Sequence, residues 1–332
     1  MTPLTQTDDA IVGRIEAAAE RIQRVQKATS AVIFGQEQVI ERTLVTILSG
    51  GHALLIGVPG LAKTLLVETL GKILGLDAKR IQFTPDLMPS DIIGAEVLED
   101  STAGRRSFRF VKGPIFAQLL MADEINRASP KTQSALLQAM QEHHVTVAGQ
   151  RHDVPMPFYV LATQNPLEQE GTYPLPEAQL DRFLLQVDVG YPDQSAERRM
   201  LFATTGTDER RIEQILTAQE LMAIQRLVRH LPVPDKVVEA ILKLARSARP
   251  GTGAGADTDR LIAWGPGPRA SQALMLAVRA KAWIDGRLAP SVDDVVALAE
   301  PVLKHRMALT FAARAEGATP TAVINRLAAA LE

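Results

Sequence analysis

Through the first 190 residues, apolar and polar positions follow two periods. Short runs at 53–56, 80–83, 118–122, 158–162 and 183–189 read as strands, and most of them have the unbroken apolar character of buried parallel ones. Between them lie segments with apolar residues at helical spacing. The first, 8–30, places Ile11, Val12, Ile15, Ala18, Ala19, Ile22 and Val25 on one face. Phe34-Gly35-Gln36 interrupts it, a second helix runs to about Ser49, and Gly50-Gly51 leads into the strand at 53–56. Ser129 and Pro130 open another helix, as N-cap and first helical residue, with Ala135, Leu136, Ala139 and Met140 on its core face. Two alternating runs, 95–98 and 107–111, predict one β-hairpin, and residues 145–154, turning at Gly149, predict another. Beyond Tyr191-Pro192-Asp193 only helical periodicity remains, broken at Pro232, Pro234 and Pro250, with a loose loop at 251–255. Trp264 and Trp283 read as core or edge packing.

Candidate chemistry concentrates where strands end. Gly57-Val58-Pro59-Gly60-Leu61-Ala62-Lys63-Thr64 stands between a buried strand and a helix that continues through Leu65 to a stop at Gly75. A helix N-terminus offers unpaired N–H groups and a positive dipole end to phosphate oxygens. Gly57 and Gly60 let the backbone wrap closely, Lys63 is placed for the β- and γ-phosphates, and Thr64 for Mg²⁺. Ala62 stands where the general pattern has a second glycine. The position is expected to be entering the helix, where alanine costs little. An ordinary βα turn with a lysine has the same outline. A second element, the strand ending in Asp123-Glu124, strengthens the phosphate reading. Alternation along a strand would turn Asp123 toward Mg²⁺ and Glu124 toward the γ-phosphate and a water.

Three more residues enter by position. Asn165, at the tip of the strand 158–162, is placed to hydrogen-bond the γ-phosphate or the attacking water, although Asn165-Pro166 is also a turn starter. Arg182, expected at the sheet's binding edge, could reach a phosphate in a neighbouring subunit or form a helix-terminal salt bridge. Arg269 lies in the first turn of the helix 270–285, unfavourable for a cation unless an anion sits there. The Val32–Gln36 turn is a candidate neighbour of the adenine.

Composition narrows the partners. The net charge is −2, which disfavours a nucleic-acid protein, although Arg105, Arg106, Arg109 and Lys112 make the first hairpin locally basic. Cysteine is absent, so disulfides and thiolate metal sites are excluded. His143 and His144 are adjacent, without the spacing of a metal pair on one helix face, and read as surface residues. The polar start, 1–10, lacks a signal-peptide core, and no apolar run approaches a membrane span, so a soluble, cytoplasmic protein is expected.

Taken together these stretches resemble the AAA+ ATPases, and among them the MoxR family. The resemblance runs from Phe34 to the C-terminus and is carried by Gly57 to Thr64, Ala122 to Met140, Ala162 to Phe183 and Gly267-Pro268-Arg269-Ala270, similar to Walker A, Walker B, sensor 1 with the arginine-finger region, and sensor 2. It implies an α/β chain: a three-layer αβα P-loop core with a parallel sheet over 1–190, then an all-helical lid over 191–332. ATP or ADP would bind on residues 57–65, with Mg²⁺ on Thr64 and Asp123. Glu124, Asn165, Arg182 in trans and Arg269 in cis would form the catalytic set. The hairpins at about 91–113 and 145–154 look like the helix-2 insert and pre-sensor-1 hairpin, facing a pore. Family members form hexameric rings that act as chaperone-like remodellers on client proteins. They often work beside a protein with a von Willebrand factor type A domain, in metal or cofactor assembly. A nucleic-acid-stimulated motor and a nucleotide-gated scaffold with little turnover are the alternatives.

Overall fold

The computed structural model describes residues 6–100, 106–168, 170–205, 212–253 and 255–331. Arg105 of the basic hairpin lies outside them. In chain order the strands are β1 (Ala53–Ile56), β2 (Ala78–Gln82), β3 (Gly94–Asp100), β4 (Arg106–Lys112), β5 (Leu119–Asp123), β6 (His144–Val147), β7 (Gln150–Asp153), β8 (Tyr159–Gln164), β9 (Leu185–Asp188), β10 (Ile262–Trp264) and β11 (Ala308–Leu309). Five of them form one sheet, ordered β2-β5-β8-β1-β9, with every neighbouring pair parallel. All of β5 is buried, and β8 as far as Thr163, because helices cover both faces. Each fully buried aliphatic side chain there contributes roughly 1.5–3 kcal/mol.

The helix Glu37–Ser49 ends at Gly50, whose left-handed backbone (φ 74°) reverses the chain into β1. Helix Lys63–Ile73 follows β1 directly, and helix Pro130–Glu142 follows β5 after a short 3₁₀ turn. Ser129 caps the latter through the backbone N–H of Thr132, with Pro130 at its first position, as the sequence predicts. β3 with β4, and β6 with β7, are antiparallel hairpins outside the main sheet. Within the first, Arg109 is paired with Glu99, so part of its basic character is neutralised by its own strand partner. His143 is exposed and His144 half-buried beside Glu142.

Among the described residues from Gln194 onward, the regular elements are helices apart from the short ribbon of β10 and β11. Trp283 is buried in this helical core. The helices are fastened to the free edge of the main sheet by the turn Lys304–Arg306. Lys304 pairs with Asp188, and a ring nitrogen of His305 bonds the carbonyl of Phe183 at 3.0 Å. Arg306, 2 % exposed, donates to Asp181 Oδ1 at 2.7 Å and to the carbonyls of Leu184 (3.0 Å), Val302 (2.6 Å) and Phe183 (2.5 Å). Burial pulls the guanidinium's pKa down, and Asp181 opposes that shift. Removing such a partner strands a carboxylate and several carbonyls. Arg306→Met is therefore expected to lose about 3 kcal/mol of stability, seen as a lower urea midpoint at unchanged slope. A midpoint within experimental error of the native chain's would show that the fastening carries no weight.

Candidate active site

The polarity of the sheet decides what converges. The C-terminal ends of β1, β5 and β8 lie side by side, with Ile56 opposite Gln164 and Ala122 opposite Ala162. Outside those ends lies a cavity of about 440 Å³ lined by Pro59 to Leu65, Arg80, Gln82, Asp123, Glu124, Thr163, Gln164 and Asn165. Seven of the nine predicted loop residues line it. Gly57 and Val58 lie behind, where their carbonyls accept hydrogen bonds from Lys63 Nζ at 2.7 and 2.8 Å. A side chain at Gly57 would collide with the Val189 carbonyl, its Cβ only 2.6 Å away, so glycine there is a packing requirement.

Ala62 does not enter the helix. It is the N-cap residue, at φ 56°, ψ 20°. A left-handed alanine costs roughly 1–2 kcal/mol, so the departure from glycine is not free. The loop holds that strain because the helix N-terminus beyond it is anchored by its buried residues Leu66 and Leu70.

Lys63 carries a lowered pKa, because burial disfavours its charge while Asp123 and Glu124 oppose that effect. Asp123 is 8 % exposed. Its Oδ1 accepts from the Thr163 hydroxyl at 2.5 Å, and its Oδ2 from Arg80 at 2.5 and 3.2 Å. Glu124 diverges from Asp123 for a different reason than strand alternation. The strand ends at Asp123, and Glu124 takes a left-handed backbone (φ 55°) that caps the 3₁₀ turn. Its Oε2 then accepts from Gln82 (2.8 Å) and Arg127 (3.0 Å), and its N–H donates to Thr163 Oγ1 (2.9 Å). Buried Gln133 fixes the turn beyond, donating to the carbonyls of Ile125, Ala128 and Tyr173. Asn165, 7 % exposed, accepts from the backbone N–H of Leu167 at 3.1 Å, which is the turn-starter geometry, while still lining the cavity.

The two arginines do not join this set. Arg182 precedes β9, and so sits at the N-terminal ends of the parallel strands, opposite the phosphate-loop side. Its expected place at the binding edge is wrong for that reason. Arg269, expected to reach its own chain's nucleotide, lies with it. Both line a second cavity of about 280 Å³, with Asp181, Arg229 and Arg306, that shares no residue with the first. The anion beside Arg269 is Asp181, 3.8 Å away.

Arg80, Gln82, Thr163 and Arg306 carry much of the polar network, and the sequence reading assigned them no role. Arg80 and Gln82 share a face of β2 by alternation, and Gln82 pairs in register with Asp123. That pairing is the signal that would have found them, and it needs the strand order.

A lysine-bearing loop at a helix start, a buried aspartate ending the next strand but one with a glutamate just beyond it, and a polar tip on the strand between define an AAA-type ATPase. The comparisons agree. Residues 52–185 match the model of the ATPase family associated with various cellular activities (AAA), and residues 255–327 match the AAA lid domain. The chain is 42 % identical to the chaperone MoxR1 of Mycobacterium tuberculosis, over 96 % of this chain and 85 % of that protein. It is 32 % identical to the MoxR protein of Paracoccus denitrificans, over 87 % and 89 % of the two chains. A crystal structure of a Cytophaga hutchinsonii protein, provisionally described as an ATPase, superposes with a TM-score of 0.88 at 36 % identity, covering 97 % and 98 % of the two chains. This chain belongs to the MoxR family of AAA+ ATPases. Among the described residues no helix is long and apolar enough to cross a membrane.

Proposed function

We propose that the chain is a Mg²⁺-dependent ATPase that drives remodelling or assembly of a client protein complex, insertion of a metal or cofactor being one such task. The observation that carries this is the meeting of Lys63, Thr64, Asp123, Glu124 and Asn165 on one cavity. The hydroxyl and carboxylate oxygens of Thr64 and Asp123 are hard donors suited to Mg²⁺, which would supply charge to neutralise the β- and γ-phosphates. Lys63 and the backbone of residues 57–65 hold the phosphates. Glu124 accepts a proton from the attacking water, and Asn165 orients that water or the γ-phosphate. Arg182 and Arg269, lying together away from their own chain's loop, are read as acting on a neighbouring subunit's nucleotide in a hexameric ring. For Arg269 this replaces the expected action in cis.

We divide the chain at about residue 190 into nucleotide-binding core and lid. The hairpins β3–β4 and β6–β7 are read as the elements that meet the client. A protein with a von Willebrand factor type A domain is the expected partner, and the cytoplasm, where ATP is made available, the expected compartment. Phosphate release is expected to require Mg²⁺ and to stop with EDTA or Lys63→Ala. Binding without release would make the chain a scaffold instead. Turnover raised by DNA and lost steeply with salt would make it a nucleic-acid motor.

A further inference from the structure

Six hydrogen bonds, two of them from Arg80 to Asp123, close a ring of five residues beside the candidate active site. Arg80 donates to Asp123 Oδ2, at 2.5 Å from Nη2 and 3.2 Å from Nε. The same Nη2 donates to Gln82 Oε1 at 2.8 Å, and the Gln82 amide donates to Glu124 Oε2 at 2.8 Å. The Glu124 N–H donates to Thr163 Oγ1, and that hydroxyl donates back to Asp123 Oδ1. The metal-ligand candidate and the base candidate therefore belong to one network, in which Arg80 is the cation bonded to Asp123 and Arg127 the cation bonded to Glu124. The Arg80 side chain is 50 % exposed, against 12 % for that of Asp123, so the guanidinium can withdraw into water while the carboxylate stays.

We propose that Arg80 is the counter-ion which a divalent cation must displace from Asp123. The inference rests on the ATPase reading of the site. Charge bookkeeping supports it. Asp123 is largely buried and needs a positive partner, and a guanidinium and a hydrated divalent cation compete for the same Oδ2 lone pairs. Gln82 Oε1 accepts from the same Nη2 and so helps to hold the guanidinium on Asp123.

The test measures metal binding, not turnover. Mn²⁺ is titrated into the ADP-bound protein, and the free ion is read by electron paramagnetic resonance. Arg80→Gln is expected to bind Mn²⁺ about fivefold more tightly than the native chain, the scale of a partly exposed charge pair. Arg80→Lys keeps the charge but loses the fork, and is expected to fall between. Gln82→Ala removes the second acceptor of Arg80 and is expected to shift binding the same way by a smaller factor. Normal Mn²⁺ binding by the native complex with an unchanged or weaker value in Arg80→Gln would overturn the assignment of Arg80 and leave the ATPase reading standing. An unmoved Gln82→Ala would overturn the part assigned to Gln82 in holding Arg80 on Asp123. Failure of the native ADP complex to bind Mn²⁺ would sink both readings together.

Discussion

Glu124→Gln is expected to keep nucleotide binding near the native level while turnover falls by about 10²–10⁴, the usual contribution of a positioned general base. The separation of effects follows from where the contacts lie. In the proposed site Lys63 and the loop backbone form the phosphate cradle, and the hydrogen bonds of Lys63 go to the Gly57 and Val58 carbonyls, not to Glu124. The carboxylate is held by Gln82 and Arg127, and an amide oxygen at the same place can still accept from both. The substitution thus removes proton acceptance and little else. The measurement pairs equilibrium binding of a fluorescent nucleotide with phosphate release. Turnover at the native rate would strip Glu124 of its role. Loss of binding would mean instead that the carboxylate helps to hold the cradle together.

Much of this site was legible before any coordinates. The phosphate loop, the acid-tipped strand and the polar strand tip are local patterns, each a short apolar run followed by residues with distinctive chemistry. Such patterns survive translation into structure because parallel strands bring all their C-terminal ends to one side. Four things were missed. Ala62 and Glu124 take left-handed backbones, and no neighbouring residue announces this, since neither is glycine or asparagine. The partners of Asp123 come from β2 and β8, which strand order alone brings beside it. The side of the sheet on which Arg182 falls depends on whether it precedes or follows its strand. The same polarity argument, applied to a residue just before β9, would have moved it away from the loop. Arg306 was invisible because a buried arginine with backbone acceptors leaves no periodic trace.

These fastenings bear on how motion is transmitted. A swing of the lid against its own core would have to break the bonds of Arg306 to Asp181, Phe183 and Leu184, together with the Lys304–Asp188 pair. Breaking a buried charged network of this kind costs about 3–5 kcal/mol. It is cheaper for the lid and the core's β9 side to move as one body, carrying Arg182 and Arg269 together. In the ring proposed above, hydrolysis would then be felt where those arginines would reach the next subunit's phosphate, and the hairpins of that subunit would follow.

This arrangement makes Arg182→Ala the sharpest probe of the ring. Alone, it is expected to bind nucleotide normally and to lose about 10³–10⁵ in turnover, the range of an arginine supplied to a phosphoryl-transfer site from a neighbour. Mixed with Glu124→Gln, itself inactive, it is expected to regain part of the native rate. In mixed rings some interfaces pair an intact Glu124 from one subunit with an intact Arg182 from the other. Recovery depends on exchange of subunits, so it should grow with time after mixing. An arginine acting in cis would give no recovery, because no single chain in the mixture carries both residues. The geometry favours recovery: Arg182 and the phosphate loop line cavities with no residue in common. A mixture that stays inactive, from variants shown to assemble together, would overturn action in trans and return Arg182 to its own chain.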